Sequence, residues 1–209
     1  MDSLKQRMRQ VVVLGSGMDS RIYRLEIPPQ MRFIEVDEEA VHEAKSAAMH
    51  AIGARARCLV SRQAISLNPD LGVIQLMDAI RPVLNLDKPA LFLLDGALST
   101  WSPENRLAAV SAAARLAAEG SVIVGPAPLE DVASPLTDAG FPQVNLTNHH
   151  QLSQIFRREV PESMKMLVAV HRSGGDARAP SVSRGCSSKV SSGTSGGCGG
   201  KADSSNKGS

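Results

Sequence analysis

The sequence predicts an α/β protein built on a mostly parallel sheet covered by helices, and three observations carry that expectation. Short β-rich runs alternate with longer stretches of helical periodicity as far as residue 172, the order expected when each strand returns through a crossover helix. The runs are compact and apolar, as in a sheet buried on both faces. The chain is 43% hydrophobic but only 3% aromatic, so its core is assembled from Leu, Val, Ile, Ala and Met, which suits that architecture. A length of 209 residues fits one such domain plus an appendage.

Five runs give the parallel strands: 11–14, 32–36, 56–60, 90–94 and 121–124. Between the second and third, 39–51 carries Ala40, Val41, Ala44, Ala47 and Ala48 at helical spacing. After the fourth, a helix is expected over 103–118, with Ser102 as N-cap, Pro103 at its first position and Gly120 closing it. A further helix near 131–139 ends at Gly140, and strands near 144–146 and 164–171 bracket a short helix around 152–156. This last strand–helix–strand unit reads as an antiparallel, hairpin-like addition at the sheet edge. From Ser173 onward the composition turns to Ser, Gly and scattered Lys. Too little there can be buried to repay the entropy of ordering, so the expected organisation is a domain over 1–172 and a disordered tail over 173–209.

The formal net charge is +2 and no Lys/Arg run is interleaved with aromatics, which argues against a nucleic-acid partner and for a small-molecule or protein substrate. No apolar stretch approaches the roughly 20 residues of a membrane span, and the N-terminus lacks the apolar segment of a signal peptide. A soluble, cytoplasmic protein is the expectation. Cys58, Cys186 and Cys198 are far apart without a CxxC pair or a nearby histidine, so neither a disulfide framework nor a metal site is indicated.

The most informative stretch is Val11-Val12-Val13-Leu14-Gly15-Ser16-Gly17-Met18-Asp19-Ser20-Arg21, a buried strand running into a glycine turn. Such a turn at the carboxyl end of a first parallel strand lets a ligand approach the backbone closely. Glycine turns also occur wherever a chain reverses tightly; the spacing to Asp37 is what points to a ligand. Asp37 stands twenty positions after Gly17, directly behind the run Phe33-Ile34-Glu35-Val36, where an acid can accept hydrogen bonds from both ribose hydroxyls of an adenosine. Ser20 occupies the place of the third glycine of a dinucleotide fingerprint, which disfavours a pyrophosphate and with it a nicotinamide-dependent oxidoreductase.

Gly15-Ser16-Gly17-Met18-Asp19-Ser20-Arg21 followed by Tyr23-Arg24-Leu25 resembles the first motif of the leucine carboxyl methyltransferases, and Phe33-Ile34-Glu35-Val36-Asp37 with Lys45 resembles their second block. Related bacterial O-methyltransferases share this pattern, and the resemblance continues through Asp95-Gly96 and the helix after Pro103 to about His171. The resemblance implies a Rossmann-like, doubly wound, mostly parallel seven-stranded sheet with a final antiparallel strand, and S-adenosyl-L-methionine as cofactor. It implies further that Gly15, Ser16 and Gly17 lie at the methionine part and that Asp37 holds the ribose. Asp19 and Arg21 read as structural, the first capping the helix after the turn and the second pairing with an acid.

Four departures from the family are visible. Ser66-Leu67 stands where the family has the Asp-Leu pair that recognises adenine, so a neutral hydroxyl replaces a charged acceptor and weaker cofactor binding is expected. Asp95, ahead of Gly96, keeps the carboxylate of the family's Glu-Gly with a shorter reach. Trp101 takes the position of a family aromatic, or else wedges between loop and helix. Only ten residues precede the first expected strand, where the family has a helical segment that covers the pocket and supplies an arginine for the cofactor carboxylate. Lys5, Arg7 and Arg9 are the nearest substitutes, with surface charge the more ordinary role, and a truncated or divergent member is expected.

The implied activity is S-adenosylmethionine-dependent O-methyl transfer to a carboxylate or hydroxyl of a small molecule or protein. Alignment and desolvation dominate such a displacement, so no catalytic base is assigned, and His149 and His150 read as solvated loop residues. The alternative is an inactive methyltransferase-fold protein that serves as an interaction domain.

Overall fold

Val11, Val12, Val13 and Leu14 are each at most 4% exposed, and they form the centre of the sheet as strand β1 (Gln10–Leu14). The structure, a computed structural model, describes residues 8–67, 72–126, 133–162 and 165–172. All of these belong to one compact unit. The tail expected over 173–209, with Cys186 and Cys198, lies outside the described residues, as do Lys5, Arg7, Asp70, Asp131 and Met164.

Along the chain, β1 is followed by α1 (Arg21–Arg24), β2 (Arg32–Asp37), α2 (Glu39–Ala51), β3 (Leu59–Ala64), α3 (Val73–Ile80) and β4 (Ala90–Leu93). Then come α4 (Asp95–Thr100), α5 (Pro103–Leu116), β5 (Val122–Pro126), α6 (Ala133–Asp138), β6 (Gln143–Thr147), α7 (His149–Phe156) and β7 (Met166–Val170). Among the described residues the sheet has seven strands in the order β3-β2-β1-β4-β5-β7-β6. The first five are parallel, and β7 runs antiparallel to both β5 and β6. This is the doubly wound arrangement expected, with the antiparallel strand inserted beside β5 and β6 carried to the edge.

Side chains alternate across the sheet and divide the interior into two clusters. Val12, Leu14, Ile34, Val36, Phe92 and Leu94 face a large core closed by Leu76 and Ile80 of α3, Ala97 and Leu98 of α4, and Ala109, Ala112 and Ala113 of α5. Val11, Val13 and Phe33 face the other side with Ile22 of α1, joined by Tyr23, Val60, Leu91 and Leu93. Fully burying a side chain such as Ile34 or Phe92 stabilises the fold by about 1.5–3 kcal/mol.

Local signals act largely as expected. Ser102 Oγ accepts from Asn105 N at 3.3 Å with Pro103 in the first turn of α5, and α2 spans the expected 39–51. The third strand departs from expectation: it runs from Leu59 to Ala64, beyond the apolar run at 56–60. It is an edge strand, paired only with β2, and its boundaries follow that partner, with Arg62 in register opposite Glu35. Polar residues are therefore tolerated along it. Helix α5 stops at Leu116, and Gly120 serves the turn into β5 instead of the helix end. Helix α1, four residues long, is the helix expected after the glycine turn, whereas α3 and α4, eight and six residues long, are too short to show in the periodicity. No helix among the described residues is long and apolar enough to cross a membrane.

Candidate functional site

Parallel strands bring their carboxyl ends to one edge, and backbone hydrogen bonds knit three of those ends together. Gly15 N and Ser16 N both donate to Val36 O, at 2.9 and 3.3 Å, and Ile65 N donates to Asp37 O at 2.9 Å. Gly15 and Gly17 have φ of 70° and 42°, the left-handed region that costs any residue with a Cβ. The turn they make tips the chain over the end of β1 into α1.

Asp37 sits behind this turn, 5% exposed. Its Oδ2 accepts from Gly17 N at 2.7 Å and its Oδ1 from Glu38 N at 2.8 Å. Each carboxylate oxygen retains lone-pair capacity for a second hydrogen bond. The acid and the glycine turn, separate signals in the sequence, are thus one hydrogen-bonded unit.

Gly15 lies against Gly96 at the start of α4. A Cβ on Gly96 would fall within bonding distance of Gly15 O, and one on Gly15 would strike Ala97 N and Gly96 C. Both positions therefore exclude side chains for a reason internal to the protein, where the sequence suggested only close approach of a ligand. Gly17 differs, because a Cβ there meets nothing within 4 Å.

Between these elements lies an open cleft of about 420 Å³, lined by Gly15, Ser16, Met18, Asp19, Ser20, Arg21, Asp95, Gly96 and Ser99 among others. Ser16 is 2% exposed and its Oγ has no hydrogen-bond partner. Arg21 is held from two directions by Asp19, whose Oδ1 accepts from Arg21 N at 2.9 Å and whose Oδ2 lies 2.8 Å from Nε. Arg21 Nη2 also stands 3.5 Å from Asp95 Oδ2. A second, more apolar cavity of about 210 Å³ adjoins at the ends of β4, β5 and β7, lined by Leu93, Val124, Gly125, Pro126, Leu152, Lys165 and Met166, and it shares Arg21 and Asp95 with the cleft.

Of the expected site residues, Gly15, Ser16, Asp95 and Gly96 surround the cleft, and Gly17 and Asp37 are joined just behind it. Ser66 and Leu67 are outside the cleft lining, Ser66 being exposed and Leu67 packed on the main core beyond β3. Arg21 pairs with an acid as expected, and that acid is Asp19; the N-cap position of α1 is Ser20, with Asp19 accepting from Arg21 N, and Arg21 also lines both cavities, which the sequence reading missed. Trp101 is 5% exposed within the main core, a wedge and not a wall of the cleft. His149 and His150 occupy the first turn of α7 instead of a loop, with ring centroids 4.0 Å apart and planes tilted by 37°. The second cavity carries no local motif, since its walls come from strand ends far apart in sequence.

Residues 1–145 match the family model for leucine carboxyl methyltransferase. The chain belongs to that family. Among its relatives, a protein of Saccharopolyspora erythraea is 35% identical over 115 residues, covering 55% of this chain and 39% of its own length. Another, from Mycolicibacterium paratuberculosis, is 30% identical over 120 residues, covering 57% of this chain and 37% of its own length. Both are described by name as S-adenosyl-L-methionine-dependent methyltransferases. The chain therefore spans about two fifths of the length of the curated relatives it matches. Among solved structures, an O-methyltransferase family protein from Burkholderia thailandensis superposes with a TM-score of 0.53 at 16% identity, covering 82% of this chain and 53% of its own. A methyltransferase-class structure from Thermobifida fusca gives 0.51 at 15% identity, covering 79% and 74% respectively. These likenesses establish the Rossmann-like methyltransferase fold, and the leucine carboxyl methyltransferase family implies S-adenosyl-L-methionine as cofactor.

Proposed function

We propose that this chain is an S-adenosyl-L-methionine-dependent O-methyltransferase whose cofactor lies across the ends of β1, β2 and β4. The observation that carries the reading is the hydrogen bond from Gly17 N to Asp37 Oδ2 at 2.7 Å, which couples the bend after β1 to the acid after β2 at the margin of an open cleft. The fit to the cofactor rests on three features: the unpartnered Ser16 Oγ, the open space beside Gly17, and the remaining acceptor capacity of Asp37. In this reading Asp37 accepts from the ribose hydroxyls, and Gly15, Ser16 and Gly17 border the methionine part with Asp95 and Gly96. Ser66 and Leu67 flank the adenine beyond β3, a weaker contact because Ser66 carries no charge.

Held there, S-adenosyl-L-methionine would supply an electrophilic methyl group that passes in line to an acceptor oxygen as its carbon–sulfur bond breaks and S-adenosylhomocysteine leaves. The adjoining apolar cavity orients that acceptor: Leu93, Val124, Leu152 and Met166 exclude water from its body, and Lys165 at the cavity wall favours an ionised oxygen. A carboxylate acceptor needs no proton removed, and the apolar cavity is suited to an acceptor of that kind. The cytoplasm is the compartment this reading expects, in keeping with the free thiol of Cys58.

Thermal unfolding tests the reading. S-adenosylhomocysteine at 100 times its dissociation constant stabilises a specific binder by about 2.7 kcal/mol, so the midpoint rises with this ligand and stays fixed with NAD. An unchanged midpoint at saturating S-adenosylhomocysteine overturns the enzymatic reading in favour of a non-catalytic interaction domain.

A further inference from the structure

We infer that Arg62 is a positioning residue for the cleft: its hydrogen bond to the Tyr23 hydroxyl is the strut that holds α1, and with it one wall of the cleft, against the body of the sheet. The inference rests on the cofactor reading above and concerns a side chain outside the cleft lining.

Helix α1 needs such a support. It is a single turn of four residues, and Ser20 at its N-cap position makes no side-chain cap bond. A lone turn gains too few hydrogen bonds to repay the dihedrals it fixes. Yet Asp19 and Ser20 before it and Arg21 and Arg24 within it all line the cleft, so its placement decides the shape of that wall. Ile22, 2% exposed, packs into the cluster with Val11, Val13 and Phe33, and Ile22 O accepts from Arg57 N at 3.0 Å. Both contacts attach the helix at one residue, and a helix attached at one residue can pivot about it.

The Tyr23 hydroxyl is the separate anchor, accepting from Arg62 Nη2 at 2.9 Å. From its own place on β3, Arg62 gives each of its three nitrogens to a different element. Nε meets Glu35 of β2 at 3.1 Å, Nη1 donates to Ser46 of α2 at 2.7 Å, and Nη2 reaches Tyr23 of α1. The Glu35 side chain is 2% exposed and is held on its other oxygen by the fully buried Lys45 at 2.6 Å. A buried charge therefore anchors the base of the guanidinium. Because that group is planar, fixing Nε and Nη1 also fixes the direction of Nη2. Lysine, with one nitrogen on a flexible stem, does not serve three elements in three directions. A line of polar contacts thus joins the wall of the cleft to the core, running Lys45, Glu35, Arg62, Tyr23 and α1, without passing through the cleft.

Amide hydrogen exchange and calorimetric titration of the full chain test the strut. Tyr23→Phe removes the hydroxyl and keeps the ring, whereas Ser46→Ala removes another of the three partners of Arg62 and leaves α1 untouched. The amides of Tyr23, Arg24 and Leu25 close the turn onto Ser20 O and Arg21 O. In Tyr23→Phe and in Arg62→Lys they are expected to exchange about fivefold faster, with those of β1 unchanged, and S-adenosylhomocysteine should bind about fivefold more weakly. Ser46→Ala should leave both readouts within about twofold. Unaltered exchange in Tyr23→Phe overturns the inference, as does faster exchange with undiminished affinity. Equal weakening by Ser46→Ala also overturns it, since the network would then support the fold at large. Should Arg62→Lys fail to fold, the near-isosteric Tyr23→Phe decides. An unaltered chain that binds no S-adenosylhomocysteine overturns the cofactor reading and the positioning role with it, while the exchange rates still report whether the strut holds α1.

Discussion

Lys45 Nζ meets Glu35 Oε1 at 2.6 Å with the two side chains 0% and 2% exposed, an ion pair closed off between α2 and β2. Arg62 joins it from β3, with Nε 3.1 Å from Glu35 Oε2, and reaches Tyr23 and Ser46 with its other nitrogens. The network fixes α2 and the edge strand β3 against the strand that ends in Asp37. Its two cations share one anion, which makes the members unequal. Glu35→Gln strands a fully buried Lys45, whereas Lys45→Met leaves Glu35 with Arg62. Removing a partner from a buried pair typically costs about 3–5 kcal/mol. Urea denaturation is therefore expected to show Glu35→Gln in that range and Lys45→Met below it; the reverse order would contradict the shared-anion arrangement.

The backbone contact between Gly15 and Gly96 gives a second expectation. Overpacking typically costs about 1–3 kcal/mol, and Gly96→Ala belongs at the upper end because the opposing atoms are backbone. Gly17→Ala meets open space and bears only the left-handed strain, about 1–2 kcal/mol. Equilibrium unfolding of the two variants checks the order, and a Gly96→Ala chain as stable as the parent would show that α4 can move away from the turn.

Burial raises the Cys58 thiol above its ordinary range, and the nearby Glu35 charge adds to the shift. The folded state thus favours the protonated thiol. This contribution to stability is fully present below the unfolded thiol value, about 8.5, and is lost as pH rises through the higher folded value. In a Cys186→Ser, Cys198→Ser background, the pH profile of Cys58 alkylation is expected to lie alkaline of the same chain in urea. Coincident profiles would contradict the assignment.

The central sheet was legible because its signals are local. Val11 to Leu14 are buried on both faces and apolar at every position, helix α2 shows its period, and Ser102-Pro103 marks where α5 begins. The edge was less legible: β3 takes its limits from pairing with β2, so Ser61, Arg62 and Gln63 lie in a strand that hydrophobicity alone does not reveal. At the site, the spacing of Gly17 and Asp37 pointed to a shared ligand, whereas the hydrogen bond between the two residues was not legible. The close approach of Gly15 to Gly96, the place of Arg21 on the walls of both cavities and the cavity between Leu93, Val124 and Leu152 depend on strand order, which no local pattern encodes.

The account depends most on Asp37 and the turn after β1 holding an adenosine together, and calorimetric titration with S-adenosylhomocysteine reads this directly. The unaltered chain is expected to bind with a dissociation constant on the order of micromolar, about −8 kcal/mol. Asp37→Asn, which retains an acceptor for Gly17 N but not the charge, should bind about tenfold more weakly, and Asp37→Ala, shown to be folded by circular dichroism, should release no heat. Undiminished binding by folded Asp37→Ala would remove the acid from the site and contradict the account.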